Sequence, residues 1–168
     1  RAYLRSHAQD CGEADRILCR LNRHIDNDTD ADRFISMFLG LLDPVAHRFS
    51  WSNAGHPPAL VVRADGGCVS CRNTGMALGM TDEDVFEAGE TIDLAPGDTV
   101  VLYTDGITEL RQGDEMYGDA RLQESVARHV GGSAAELLDG IFRDAQQWAG
   151  SEHPGQDDLT VAILRRES

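Results

Sequence analysis

Val100-Val101-Leu102-Tyr103-Thr104, five residues able to lie deep in a sheet, run without a break into Asp105-Gly106, and a second carboxylate, Glu109, follows four positions later. An apolar, β-branched run of this length reads as a strand buried on both faces. A chain that uses such a strand to present an aspartate at its tip fixes that carboxylate rigidly. The last element, LTVAILR at 159–165, repeats the pattern in reverse, because Asp157-Asp158 stand just before it, after a Pro-Gly loop. If the two strands are antiparallel neighbours, both carboxylate loops leave the sheet at the same edge, with adjacent strands about 4.8 Å apart. Like charges so close raise a pKa or recruit a cation. A hard divalent ion such as Mg²⁺ or Mn²⁺ suits an all-oxygen site of carboxylates and waters.

The rest of the chain supplies the frame. Residues 10–26 carry Ile17, Leu18, Leu21 and Ile25 at helical spacing, with Asp10 and Glu13 placed as a capping box, and AYLR before them reads as the end of another helix. FISMFLGLLD at 34–43 has strand length and ends in the Asp43-Pro44 turn. HRFSWSN returns as a hairpin partner with Phe49 and Trp51 on one face. ALVVR, CVSCR and VFEAGETIDL read as further strands, and Ala95-Pro96-Gly97-Asp98 as a turn. Helical patterns follow over 119–130 and 133–149. Helix, then strands, then helices and a closing strand predict an α+β chain with a mainly antiparallel sheet and helices packed outside it.

Composition narrows the partners. The net charge is −14, and all 15 basic side chains of the Lys and Arg class are arginine. That balance argues against nucleic acid, which needs a basic face, and against direct contact with an anionic membrane. A phosphate-bearing substrate would then be held by a metal rather than by a lysine cluster. No apolar run approaches the ~18–20 residues of a membrane span. The chain opens RAYLRSH with neither an initiating Met nor a leader, so it is expected to be part of a longer cytoplasmic protein. Cys68-Val-Ser-Cys71 has redox or zinc spacing, yet on a strand residues three apart point to opposite faces, and Cys11 and Cys19 lie at the wrong spacing to complete a zinc site. Small thiols in a reducing compartment are the expectation. Asn53-Ala54-Gly55-His56-Pro57-Pro58 is too rigid and polar for a sheet centre, and His56 is either a proton carrier or a loop residue satisfied by a carbonyl.

Taken in order, 34–43, SNAGHPPAL at 52–60, LAPGDTVVLYTDGITE at 94–109, MYGDARL at 116–122 and QDDLTVAIL at 156–164 resemble the SpoIIE/RsbU-type serine phosphatase domain. That domain is a branch of the metal-dependent, type 2C-like (PPM) protein phosphatases, and the similarity covers nearly the whole chain as a single domain, 1–168. The resemblance implies an αββα sandwich, two stacked antiparallel sheets flanked by helices, with two Mn²⁺ or Mg²⁺ ions at one end. It implies that Asp105 and Asp157 are metal ligands, with Asp158 and Gly106 as further contributors. Asn53, His56, Thr108 and Glu109 are expected in the second shell or near the substrate. Two metals roughly 3.5–4 Å apart would activate a bridging water and clamp phosphate oxygens, so no side-chain nucleophile is needed. The implied substrate is a phosphoserine or phosphothreonine of a partner protein, typically an anti-anti-sigma (STAS) factor, with an upstream sensor domain in the full-length chain.

One part of the pattern is missing. The family's first motif, Asp-x-Ser-Gly-His-Gly, which supplies a bridging aspartate, does not occur; Gly55-His56 belongs to the later motif. The chain is therefore expected to lack the first strands and about half of the two-metal site, and to be weakly active or inactive alone. An open sheet edge left by those strands would favour a homodimer. The alternatives are a catalytically silent regulatory or dimerisation domain that keeps the fold, and a Cys-x-x-Cys zinc or redox module.

Overall fold

The computed structural model describes residues 12–28, 33–81, 86–150 and 158–167. They form two compact units, one built from the chain up to Pro58 together with Cys71–Leu94, the other from Ala59–Ser70 and Ala95 onward. Each has its own apolar core.

The first unit holds α1 (Ala14–Asp28), β1 (Met37–Asp43), β2 (Arg48–Ala54) and β5 (Ile92–Asp93), in the sheet order β1-β2-β5. The expected hairpin is present: β1 pairs antiparallel with β2 from Met37↔Ala54 to Asp43↔Arg48. Asp43 closes the turn by accepting the N–H groups of Val45 (2.9 Å) and Ala46 (2.8 Å). One face of the hairpin carries Met37, Leu39 and Leu41 against α1, whose Ile17, Leu18 and Leu21 are buried with Ala54, Leu78 and Phe86. The other face is aromatic, Phe38 stacking on Phe49 (6.4 Å) and Trp51 (5.8 Å).

Two readings of this unit change. The helix begins at Ala14, and both Asp10 and the proposed helix end at 1–9 lie outside the described residues. The strand expected over VFEAGETIDL shrinks to Ile92–Asp93. Its earlier part serves as a cover instead: Glu87 N–H donates to Thr74 C=O (3.2 Å) and Gly89 N–H to Trp51 C=O (2.8 Å). A Cβ at Gly89 would stand 2.1 Å from the Trp51 ring, so the backbone lies flat on the indole and cannot run on as a ladder.

The second unit holds β3 (Ala59–Val62), most of β4 (Cys68–Cys71), β6 (Thr99–Tyr103), α2 (Asp105–Thr108), the hairpin β7 (Arg111–Gln112) and β8 (Glu115–Met116), α3 (Gly118–His129), α4 (Ala134–Ala149) and β9 (Val161–Arg165). The sheet order is β4-β3-β6-β9, with β6 antiparallel to both neighbours. Leu60, Val62, Val101 and Tyr103 pack with Leu122 and Val126 of α3 and Leu137, Ile141 and Ala145 of α4, which explains the helical spacing of those residues. Ser133 and Glu136 form a full capping box at the start of α4. Asp144 ties α4 to α3, its Oδ2 accepting from Ser125 Oγ (2.8 Å), His129 Nε2 (3.0 Å) and Arg128. Burial opposes its charge, but those donors prevail and hold its carboxyl below the usual range.

Asp98 is the polar anchor of this sheet. It is 1% exposed and receives Arg63 Nη1 (2.7 Å), Ala64 N–H (3.0 Å) and Ala95 N–H (2.8 Å). The Pro-Gly-Asp turn read from sequence is thus also a clamp between the end of β3 and the start of β6. No helix among the described residues is long and apolar enough to cross a membrane.

Candidate functional site

The ladder between β6 and β9 runs from Thr99↔Arg165 to Tyr103↔Val161 and meets the condition set by the sequence: the strands are antiparallel neighbours. It continues past its last formal pair. Thr104 N–H donates to Thr160 C=O (3.0 Å), Thr160 N–H to Thr104 Oγ1 (3.2 Å), and Thr104 Oγ1–H to Asp158 C=O (3.1 Å). Thr104 therefore pins the backbone of residue 158 beside the residue that precedes Asp105. Both Asp105 and Asp158 are exposed at this edge. Asp157 lies outside the described residues.

Beyond Thr104 the chain leaves the strand at once. It enters the single helical turn of α2, whose Gly106 and Ile107 are buried. Ile107 is 0% exposed and roots the turn in the core, so Asp105 is held from both sides. Two of the expected neighbours serve this turn. Glu109 N–H (2.8 Å) and Thr108 Oγ1–H (3.1 Å) both donate to the Asp105 carbonyl, leaving the Glu109 carboxylate exposed. Among the described residues no three His, Cys, Asp or Glu side chains converge as a metal cage. What the described edge offers is exposed carboxylate oxygen on a stiff backbone, a donor set that fits a hard cation in kind.

In the first unit Asn53 and His56 are placed differently. Asn53 is 0% exposed, and its amide clamps the loop: His56 N–H donates to Asn53 Oδ1 (2.9 Å) and Asn53 Nδ2–H to His56 C=O (2.9 Å). Its backbone is held as well, with Asn53 N–H donating to Thr74 Oγ1 (2.8 Å) and Asn53 C=O accepting Thr74 N–H (2.9 Å). Gly55 sits at φ 72, and a Cβ there would meet Ala77 at 3.2 Å, so the Asn-Ala-Gly-His turn requires glycine. His56 is half-buried, with Nδ1 3.4 Å from Ser36 Oγ.

Cys68 is exposed at one end of β4 and Cys71 is buried at the other, as the strand spacing requires of thiols three apart. Sequence reasoning missed Thr104, whose signal was the pairing of Thr-Asp at the end of one strand with Asp-Leu-Thr at the start of the other.

The family model of stage II sporulation protein E (SpoIIE) matches residues 1–167. The phosphoserine phosphatase RsbU of Bacillus subtilis (strain 168) is 28% identical over 153 residues, 90% of this chain and 45% of RsbU, so the chain spans less than half the length of that relative. Among solved structures, the SiaA-PP2C domain of Pseudomonas aeruginosa aligns with a TM-score of 0.83 at 20% identity, covering 99% of this chain and 67% of that one. The Mn-presoaked phosphatase domain of SpoIIE from B. subtilis aligns at 0.66 and 17% identity, covering 97% of this chain and 70% of that one. Antiparallel sheets with helices, an aspartate at the end of the central strand of one sheet, and a family match from one end to the other make this chain a member of the SpoIIE family, with the fold of PP2C-type phosphatase domains.

Proposed function

We propose that this chain is the greater part of a metal-dependent protein serine/threonine phosphatase domain, both units belonging to that single domain. The observation that carries the reading is the shared edge of Asp105 and Asp158, built by the β6–β9 ladder and Thr104. Asp105 and Asp157 would hold Mn²⁺ or Mg²⁺, with Asp158 and the Gly106 backbone as further contributors. Such ions, when bound, lower the pKa of water and neutralise phosphate oxygens. The chain's own contribution is rigidity: the ladder and the buried Ile107 keep Asp105 from drifting, and a site ~1 Å too loose fails.

The name of RsbU, a phosphoserine phosphatase, supports a phosphoserine or phosphothreonine of a partner protein as substrate; an anti-anti-sigma factor is the partner that the family resemblance implies, and the net charge of −14 argues against nucleic acid. An upstream sensor domain, a homodimer and a cytoplasmic setting complete the reading. The missing Asp-x-Ser-Gly-His-Gly motif favours low activity for these 168 residues alone, and a silent regulatory domain is the second reading on the same ground.

Mn²⁺-dependent phosphate release from a phosphoserine protein separates the two. The full-length protein should turn over and lose at least about a hundredfold with Asp105→Asn, the scale on which loss of one charge-stabilising group acts. The 168-residue chain should turn over weakly or not at all. Full-length activity untouched by Asp105→Asn would sink the assignment.

A further inference from the structure

We propose that Asn22, in the middle of α1, is a positioning residue that sets the Asn53–His56 loop through the segment 73–81. Asn22 interrupts an apolar stripe between Leu18, Leu21 and Ile25, and it is 0% exposed. A buried amide on an apolar helix face costs free energy unless its hydrogen bonds are made. Both ends are used on one target: Gly79 N–H donates to Asn22 Oδ1 (2.8 Å), and Asn22 Nδ2–H donates to Thr81 C=O (2.7 Å). Gly79 lies at φ +82, where a Cβ would stand 3.1 Å from both Arg33 C=O and the Ile25 side chain. Position 79 therefore requires glycine, and the latch holds the loop on both sides of it.

From that latch the connection is continuous within one compact unit. Leu78 exchanges both backbone hydrogen bonds with Ile35 (2.9 Å each) at the foot of β1. Ala77 lies under Gly55. Gly75 and Thr74 donate to the Asn53 carbonyl (3.1 and 2.9 Å), and Asn73 Oδ1 accepts the Gly55 N–H (2.7 Å). Asn53 then holds His56 at both its N–H and its C=O. Backbone and amide contacts thus run without a break from α1 to the one loop of this unit that carries candidate site residues. The apolar contact of α1 with Ala54 and Leu78 acts on the same two points. The bearing of this coupling on catalysis rests on the phosphatase reading; the coupling itself does not.

Amide hydrogen exchange tests it without turnover. In Asn22→Ala, the amides of Gly55 and His56 should exchange about tenfold faster, the scale of one or two lost hydrogen bonds. The comparison is a variant of Ile17, which is buried on the same helix but makes no contact with 79–81 through a polar group; Ile17→Val or Ile17→Ala is chosen to match the denaturation midpoint. The matched variant should leave Gly55 and His56 no faster than the rest of their unit. Equal acceleration in both variants would overturn the proposal, because Asn22 would then be a stability residue only. Should Asn22→Ala fail to fold, the unmodified chain answers: Gly79, Gly55 and His56 should share one opening free energy and one denaturant dependence, and separate openings would overturn the coupling. A full-length protein that shows this coupling yet releases no phosphate would defeat the functional reading and leave the proposal standing.

Discussion

In the loop at 53–56 the polar atoms of Asn53 are turned inward, and its amide and backbone are engaged by His56 and Thr74. At the edge shared by residues 105 and 158 the arrangement is reversed: the backbone is bonded and the carboxylates stand in solvent. Both are short polar motifs next to strands, singled out from the sequence on different grounds: the loop as too rigid and polar for a sheet, the aspartates as carboxylates at the ends of buried strands. The difference lies in what surrounds them. β6 is flanked by two strands and backed by two helices, and Thr104 and the buried Ile107 secure its tip, so it stays fixed without help from the aspartate carboxylates. The first unit's loop leaves a three-stranded sheet between Gly55 and two prolines and needs Asn53 to close it. A polar residue becomes available for chemistry where the fold does not need it for shape.

The largest expected effect tests the stiffness of the second unit. Asp98→Ala removes the acceptor of Arg63 and of two backbone N–H groups in a nearly dry site, and should cost about 3 kcal/mol in chemical denaturation. Burial alone would raise the Asp98 pKa, but the N–H groups of Ala95 and Ala64 and the Arg63 charge outweigh it and leave it lowered from 3.8. A depressed folded pKa gives stability that is complete above the ordinary value and is lost as pH falls through the folded one. Wild type should therefore begin to lose this contribution below about pH 4, and Asp98→Ala should show a flatter acid limb. An unchanged limb would mean that the strand does not depend on this anchor.

Asn53→Ala comes next, at about 2 kcal/mol, because it leaves the His56 N–H and buried acceptors unmatched. Exchange should rise in β1 and β2 before it rises in β6. A cost below about 0.5 kcal/mol, the range of ordinary surface changes, would show that Asn53 resembles the aspartates after all.

Much of this contrast was readable in advance, and the unreadable part has a physical cause. Period-2 and period-3.6 patterns mark contacts that each element makes with a whole layer, so β2, β6, β9 and the helices at 118–129 and 134–149 emerged close to their observed limits. The shared edge followed from strand direction alone. What sequence does not carry is a single long-range partner. Gly89 on the Trp51 ring, Asn22 on Gly79 and Asp98 on Arg63 each depend on one residue far along the chain, and a buried asparagine is written with the same letter as an exposed one. The latch at Asn22 did leave a trace, as the one polar residue inside the stripe of Leu18, Leu21 and Ile25.

Metal addition sharpens the second half of the comparison. If the edge holds a cation, Mn²⁺ at tenfold over its dissociation constant should stabilise the folded chain by about 1.4 kcal/mol, and EDTA should remove that gain. Asn53→Ala should keep the increment on its lowered baseline, since Asn53 supports shape in the other unit. An increment lost in Asn53→Ala would tie the two motifs into one site.

The smallest effect is the most discriminating. In EDTA, Asp105→Asn should change stability by no more than about 0.5 kcal/mol, because the exposed side chain supports neither the ladder nor the α2 turn, whose hydrogen bonds run through the Asp105 backbone carbonyl. Relief of repulsion with Asp158 should make any change a slight gain. In Mn²⁺ the same substitution should abolish the increment seen in wild type. A residue that is neutral without metal and decisive with it is a ligand. Were Asp105→Asn to cost 2 kcal/mol in EDTA, the carboxylate would be holding the strand end together, and the edge would be the structural counterpart of the Asn53 loop rather than its opposite.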